Sequence, residues 1–339
     1  MNERQLLEAA RGGDQDAFAR LVEPHRGALH AHCYRMLGSV PDAEDAVQEA
    51  LLAAWRGLPR FEGRSSLRSW LYAIATNASL KAIERRPRRV LPVDYAPASD
   101  PHDGPGEPIV ESVWVDPYPD ERLGLEAGPA GPEARYEQRE SVELAFIAAL
   151  QQLPARQRAA LILRDVLGFS SREVAETLET TPPAVDSVLQ RAHRAVNERL
   201  PERSQQATLR SLDDERLREV VDGFLDAWER TDVDAVVSML ASDAVMTMPP
   251  HPTWYRGRDA VAAFLERRPL RSDRRWRLVP VRANGQLGFG HYMWGEGRET
   301  FVPHGITVLT LDGQRIAEIT SFLDSELIPR FGLPDRIDP

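Results

Sequence analysis

The chain has 339 residues, of which 42% are hydrophobic, and a formal net charge of −10. That length admits two or three domains, and the acidic balance excludes a protein that coats DNA through net charge alone. Its one cysteine, Cys33, excludes an intrachain disulfide and a cysteine-cluster metal site. The N-terminal stretch "MNERQLLEAARGGD" has no apolar signal-peptide core, and no run approaches the ~20 apolar residues that span a bilayer. The expectation is a cytoplasmic, multi-domain protein without membrane contact.

Residues 5–90 read as helical. "PDAEDAVQEALLAAWRGL" (41–58) opens on Pro41 with acids in its first turn, which suits the positive end of a helix dipole. Its Ala43, Val47, Ala50, Leu51 and Ala54 recur at helical spacing, as do Leu67, Trp70, Leu71, Ile74 and Ala78 in 65–86. Residues 91–140 differ: nine prolines, and twelve acids against three bases, give a local charge of −9. Such a stretch buries too little apolar area to offset chain entropy and is expected to be mostly mobile. The exception is "VWVDPYPDE" (113–121), where Trp114 and Tyr118 offer large apolar area and Pro117 and Pro119 stiffen the backbone. It reads as a docking motif; the bland alternative is a stray aromatic pair in a tether.

Helical periodicity returns at 141–200, broken near Pro154. Ser170 with Glu173 forms a capping-box pattern, and Thr181 before Pro182 marks a further helix start. The last helix carries Val185, Val188, Leu189, Ala192 and Val196 on one side, and Ser187, Gln190, Arg191, His193 and Arg194 on the other. Two short helices with a polar, basic second member form a helix-turn-helix. The second helix of such a unit reads base edges in the major groove, which implicates Pro183, Asp186, Ser187, Gln190, Arg191 and Arg194. The turn "LETT" lacks the glycine common there, so an ordinary helical hairpin is the competing interpretation. A hinge is expected over 200–212. Beyond it, helices 213–230 and 232–241 precede a strand at 244–250 and a helix at 258–268. Four strands follow, around 275–283, 286–295, 305–311 and 315–323, with "DGQ" (312–314) as a turn. That pattern is α+β with a curved antiparallel sheet.

"DAEDAVQEALLAAW" with "FEGRSSLRSWLYAIATNASLKAIERR" resembles region 2 of the sigma-70 class of bacterial transcription initiation factors. "LQQLPARQRAALILRDVLGFSSREVAETLETTPPAVDSVLQRAHRAV" resembles region 4. With regions 1 and 3 absent, the chain is similar to a group IV, extracytoplasmic-function sigma factor. "LREVVDGFLDAWERTDVDAVVSMLASDAVMTMPPHPTWYRGRDAVAAFLERR" with the later strands resembles the SnoaL-like, ketosteroid-isomerase-like family, whose cone-shaped sheet wraps a helix around an apolar pocket. The resemblance implies two all-α domains, a region 2 bundle (1–90) and a region 4 helix-turn-helix (141–199). The linker (91–140), hinge (200–212) and an α+β SnoaL-like cone (213–335) complete the expected organisation.

The implied function is to direct core RNA polymerase to promoters, through its β′ clamp and β flap, with regulation in cis by the cone. On the 41–58 helix, Asp45, Gln48, Glu49, Leu52 and Arg56 follow one face suited to docking on the polymerase; without the resemblance, a solvated face is the simpler interpretation. Trp70, Asn77 and "RSSLRSWL" align with the family's −10 reading element, with Thr76 where the family commonly has arginine. The loop residues Arg64, Ser65, Ser66 and Arg68 are candidates for contacting melted bases. Lys81, Arg85, Arg86, Arg88 and Arg89 are candidates for neutralising phosphates.

In the cone, Met248, His251, Trp254, Tyr255, Phe289 and His291 are the expected pocket residues. Asp243, Tyr255, His251, His291, His304 and Asp324 are the groups able to do acid–base work, but they lack metal-ligand spacing. The expectation is no catalytic residue, no metal and no cofactor, with a small apolar ligand as an added partner. The rival interpretation is a DNA-binding ligand sensor, or an enzyme using the SnoaL-like pocket. The 113–121 motif is expected to dock on the cone as a latch.

Overall fold

The computed structural model describes residues 2–109, 113–123, 137–295, 297 and 299–339. The chain forms two compact units: Met1–Arg89 with Glu121–Leu200, and Val90–Asp120 with Pro201–Pro339.

The first unit is helical. Asn2 closes a capping box on helix Glu3–Arg11, and Asp14 caps helix Gln15–Leu37. Gly38, at φ 67°, ends that helix in the left-handed region, and Ser39 at once caps helix Val40–Gly57, so the chain reverses in two residues. Ser66 caps helix Leu67–Ile83. Leu29, Cys33, Tyr34, Met36, Ala43, Ala54, Leu71 and Ala75 are buried where these helices meet. Helices Leu144–Gln151 and Ala155–Leu161 flank Pro154, which cannot supply the N–H that would join them. The second continues as a π-turn, Ile162–Val166.

Helix Ser171–Thr177 starts on the reciprocal Ser170–Glu173 box, and helix Pro182–Asn197 starts after Thr181. The turn between them does use the left-handed region, at Glu179 with φ 50°, so the glycine missing from the sequence is replaced by a strained non-glycine residue. Buried polar groups tie the two helical modules. Arg35 donates through Nε to the Ser141 carbonyl at 3.1 Å and through Nη2 to its hydroxyl at 2.7 Å. Arg158 donates to the Met36 carbonyl.

The second unit is built on a six-stranded sheet of order β2-β1-β6-β5-β4-β3. The strands are β1 (Leu240–Thr247), β2 (Trp254–Arg256), β3 (Trp276–Ala283), β4 (Gln286–Gly295), β5 (Thr300–Asp312) and β6 (Arg315–Phe322). All pairs are antiparallel except β1 with β6. Strand β2 was not foreseen, because three residues carry too little alternation to register. A bulge at His291/Tyr292 bends β4 on β5. Gly305 opposes His291 there, and a Cβ on it would lie 2.0 Å from the Phe322 carbonyl oxygen. Helices Asp214–Glu229 and Arg258–Arg267 fill the concave face, with Phe224 stacked on Phe289 at 5.0 Å and Tyr255 on Phe264 at 4.8 Å.

Two expectations from the sequence are corrected. The stretch from 90 to 109 was expected to be mobile, yet it is strapped along the second unit: Ser99 N donates to Trp254 O at 2.8 Å and Ile109 N to Pro250 O at 2.9 Å. Its backbone groups find partners, which composition cannot report. The remainder of that linker, 110–112 and 124–136, lies outside the described residues. The 200–212 hinge contains helix Gln205–Ser211, and the buried Gln205 amide exchanges two hydrogen bonds with the Leu311 backbone, at 2.7 and 2.8 Å. The β5–β6 register shifts between Thr310 and Leu311, so the glutamine satisfies backbone groups at the irregularity.

Candidate nucleic-acid interface

Helix Pro182–Asn197 buries Val185, Leu189, Ala192 and Val196. Pro183, Asp186, Ser187, Gln190, Arg191 and Arg194 all stand exposed on the opposite side. This is the geometry that lets one helix be anchored by its apolar stripe while its polar face enters a groove. Asp186 also accepts from Ser171 Oγ at 3.0 Å and so braces the two helices against each other. His193 Nε2 lies 2.6 Å from Asp165 Oδ2.

In the N-terminal module, Phe61 is buried and its ring lies 4.7 Å from that of half-buried Trp70, which shapes the 61–66 loop. Arg64, Ser65 and Ser66 are exposed; Arg64 pairs with Glu62, and Ser66 caps the helix by accepting from Ser69 N at 3.0 Å. Arg68 is exposed but engaged: its guanidinium lies 4.5 Å from the Phe169 ring centroid and donates to Leu167 O at 2.9 Å. Its neighbour Ser69 donates to Glu173 at 3.0 Å. The edge expected to meet melted bases is thus partly held by the helix-turn-helix module.

Asn77, Lys81, Arg85 and Arg86 are exposed beyond it. Thr76 points inward, bonded to Tyr72 O at 2.7 Å and His32 Nε2 at 2.9 Å, and takes no part in the exposed face. Burial, with the Arg35 charge second, pushes the His32 imidazole down to about 3, so it packs neutral.

The expected five-residue phosphate cluster is divided. Arg89 is buried against Asp42 at 2.6 Å, and Arg86 pairs with Asp42 and, at 3.4 Å, with Asp45. Arg88 donates to Gln151 O at 2.9 Å. Only Lys81 and Arg85 of the five stay clear of these contacts. The sequence hid this because Asp42 sits among apolar positions more than 40 residues upstream, and nothing in local periodicity pairs them.

On helix Val40–Gly57, Asp45, Gln48, Glu49, Leu52 and Arg56 are all exposed, and Leu52 shows 56% of its surface. Leu52 is one of three large hydrophobic residues so exposed among the described residues. Leu52 stands among polar and charged residues on that face.

The expected pocket residues separate onto two faces of the second unit. Met248, Tyr255 and Phe289 lie in its apolar core. His291 is buried, with Nε2 2.6 Å from Thr307 Oγ1; burial, with His304 beside it, pushes it down to about 3. His251 and Trp254 instead serve the strap: His251 Nδ1 meets Gly106 O at 2.6 Å and Trp254 Nε1 donates to Ala96 O at 2.7 Å. Trp254 and Tyr255 are successive strand residues, so they must point to opposite sides. Asp243 and Asp324 are exposed.

In the 113–121 motif, Val115 and Tyr118 are fully buried and Trp114 nearly so. Tyr118 N donates to Asn284 Oδ1, and Asn284 N to Tyr118 O, both at 2.8 Å. Pro119 bridges Ala283, and Gly285 N donates to Asp120 Oδ1 at 2.7 Å. The β3–β4 turn grips the strap by its backbone, and Pro117 lies between the anchored residues.

Among the described residues, no group of three His, Cys, Asp or Glu could hold a metal ion, and no helix is long and apolar enough to cross a membrane.

Family models match three parts of the chain: Sigma-70 region 2 over residues 21–89, Sigma-70 region 4 over 143–196, and a SnoaL-like domain over 221–319. The ECF RNA polymerase sigma factor SigG of Mycobacterium tuberculosis is 40% identical over 324 residues, which cover 94% of this chain and 85% of that protein. The RNA polymerase sigma-H factor of Pseudomonas aeruginosa is 29% identical over 198 residues, 58% of this chain and 93% of that one. The crystal structure of the Mycobacterium tuberculosis extracytoplasmic function sigma factor SigJ covers 91% of this chain and 97% of its own, at 24% identity and a TM-score of 0.57, and shares the fold.

Proposed function

The chain belongs to the extracytoplasmic-function sigma factors of RNA polymerase, and on that premise we propose how its parts divide the work. Sigma factors bind core RNA polymerase and promoter DNA, and this chain is a promoter-specific member carrying a SnoaL-like domain. Asp45, Gln48, Glu49, Leu52 and Arg56 dock on the β′ clamp. Region 4 meets the β flap and reads the −35 element through Pro183, Asp186, Ser187, Gln190, Arg191 and Arg194. Arg64, Ser65, Ser66, Arg68, Trp70 and Asn77 meet the −10 element, with Lys81, Arg85 and Arg86 on phosphates. The site of action is the cytoplasm, where the polymerase works.

The exposed face of Asp45, Gln48, Glu49, Leu52 and Arg56 carries this reading, because a lone DNA-binding repressor needs no second protein to meet an exposed leucine set among charges. The test is transcription reconstituted with core polymerase. Promoter-specific initiation should need both components and fall at least about tenfold with Leu52→Asp, a loss of about 1.4 kcal/mol or more. Operator binding by the chain alone, unchanged in that variant, would favour the repressor.

The SnoaL-like unit regulates in cis, and the 113–121 strap is its latch. Supporting this, the strap's Tyr118 and the turn at Asn284 exchange backbone-level bonds that an incidental tether would not form. Tyr118→Ala with Asn284→Ala should release the strap and change promoter output without touching a DNA-facing residue; unchanged output and an unchanged scattering profile would reject the latch.

A small-molecule role is favoured by one observation. Trp228 Nε1, Tyr255 OH and His291 Nδ1 are buried without hydrogen-bond partners, and an apolar ligand bearing polar atoms would satisfy them. Turnover is not proposed: the buried histidines are held neutral, and the candidate carboxylates Asp243 and Asp324 are exposed.

A further inference from the structure

Where the end of the −10 helix approaches the start of region 4, a cavity of about 390 Å³ opens in the first unit. Its lining includes Arg86, Arg88, Arg89 and Arg158, with Asp42 as the only carboxylate among the described residues, and Gln152 beside them. Asp42 is already committed to Arg86 and Arg89. Arg158 is 4% exposed and gives its guanidinium to neutral oxygens: Gln151 Oε1 at 2.6 Å, Gln151 O at 3.0 Å, Leu153 O at 3.2 Å and Met36 O. Its Nε and the Gln152 Nε2 are buried and unpartnered. Burial, with the Arg88 charge second, lowers Arg158 to about 10. Burying a cation beside a second cation, with no carboxylate to answer either, is costly unless an anion completes the set.

We propose that this cavity binds a phosphorylated small molecule on the scale of a nucleoside diphosphate, held between Arg88 and Arg158. The donors left for phosphate oxygens are the unpartnered Arg158 Nε and Gln152 Nε2, and the exposed Arg88 adds a second cation whose Nη groups face no carboxylate among the described residues. The volume suits a small-molecule site and is larger than a bare phosphate needs. A promoter backbone is the less fitting occupant, because Arg158 is 4% exposed and its unpartnered Nε lies below the surface that a duplex phosphate follows. The walls come from both helical modules, so an occupant that prefers this arrangement stabilises it by mass action and slows their separation. The inference stands on the cavity alone and does not require the promoter assignments above.

The test is calorimetric titration of the full chain with ADP, GDP and, as the phosphate-free control, adenosine, in chloride buffer at constant ionic strength. Saturable binding of a diphosphate but not of adenosine is expected, weakened at least about tenfold by Arg88→Ala, whose melting curve checks folding. Gln152→Ala, which removes no charge, should weaken it less. A short promoter duplex should not displace the nucleotide. Absence of saturable diphosphate binding, equal binding by adenosine, insensitivity to both substitutions, or displacement by the duplex would each overturn the proposal.

Discussion

The two surfaces aligned with DNA reading are in different states within the same helical unit. The recognition face of Pro182–Asn197 is exposed along its length, and its ties to neighbouring segments, Ser171 to Asp186 and His193 to Asp165, brace it without covering it. The −10 edge is partly spent: Arg68 stacks on Phe169 and bonds Leu167 O, and Ser69 bonds Glu173. A helix anchored by an apolar stripe needs nothing on its polar side, whereas a loop-helix edge with arginine and serine collects whatever acceptors lie near. The surface proposed to act on melted DNA is therefore the one whose availability the fold itself can set.

The comparison can be broken first at its frame. Asp42→Asn removes the carboxylate that pairs with Arg86 and with buried Arg89, and so breaks a buried ion pair. Chemical denaturation should show a loss of about 3–5 kcal/mol, and the −10 edge should suffer more than the recognition helix. Next, Arg191→Ala should cost about 1–3 kcal/mol of base discrimination, read as −35-dependent initiation, with stability unchanged. Equal initiation from promoters with and without a −35 element in the parent protein would erase the proposed role.

A smaller effect is expected from Glu173→Ala. Glu173 accepts from Ser170 N at 2.9 Å as well as from Ser69, and the Ser170 backbone bond is the main cause holding its carboxyl below the usual range. The substitution weakens the capping box by about 1 kcal/mol and frees Ser69. Binding of a single-stranded −10 oligonucleotide by the core complex should rise; a fall would mean that the tie does not restrain the edge.

The smallest effect sharpens the comparison through pH. His32, beneath the −10 edge, and His291, in the cone, are both pushed by burial to about 3 from an ordinary value of 6.5. The unfolded chain takes up protons that the folded chain refuses, so stability is retained above about pH 6.5 and lost as pH falls toward 3. Each histidine contributes roughly 1 kcal/mol or less per pH unit in that window. His291→Asn should flatten the slope of the second unit's unfolding and leave the first unit's unchanged.

Much of the fold was legible because the signals were local. Ser170 with Glu173, Thr181 with Pro182, and the stripe from Val185 to Val196 specify two helices and their faces without reference to anything distant. The Leu52 stripe was legible for the same reason. The grip of Asn284 on Tyr118 was only half legible: the aromatic, proline-stiffened motif was expected to dock on the cone, but nothing in it named the β3–β4 turn as the part that holds it.

Sequence by itself determined most of the helices and strands, their order, and the family, since capping, periodicity and motif order are properties of neighbouring residues; it missed strand β2 and helix Gln205–Ser211, which are too short to show a period. Only tertiary structure decided that Arg89 is a buried partner of Asp42 rather than a phosphate contact, that Trp254 faces a strap and Tyr255 the core, and that an acidic proline-rich stretch is strapped in place. Each of those outcomes rests on a partner between about 40 and 170 residues away, and burial and pairing across such distances are fixed by packing, which no local pattern encodes.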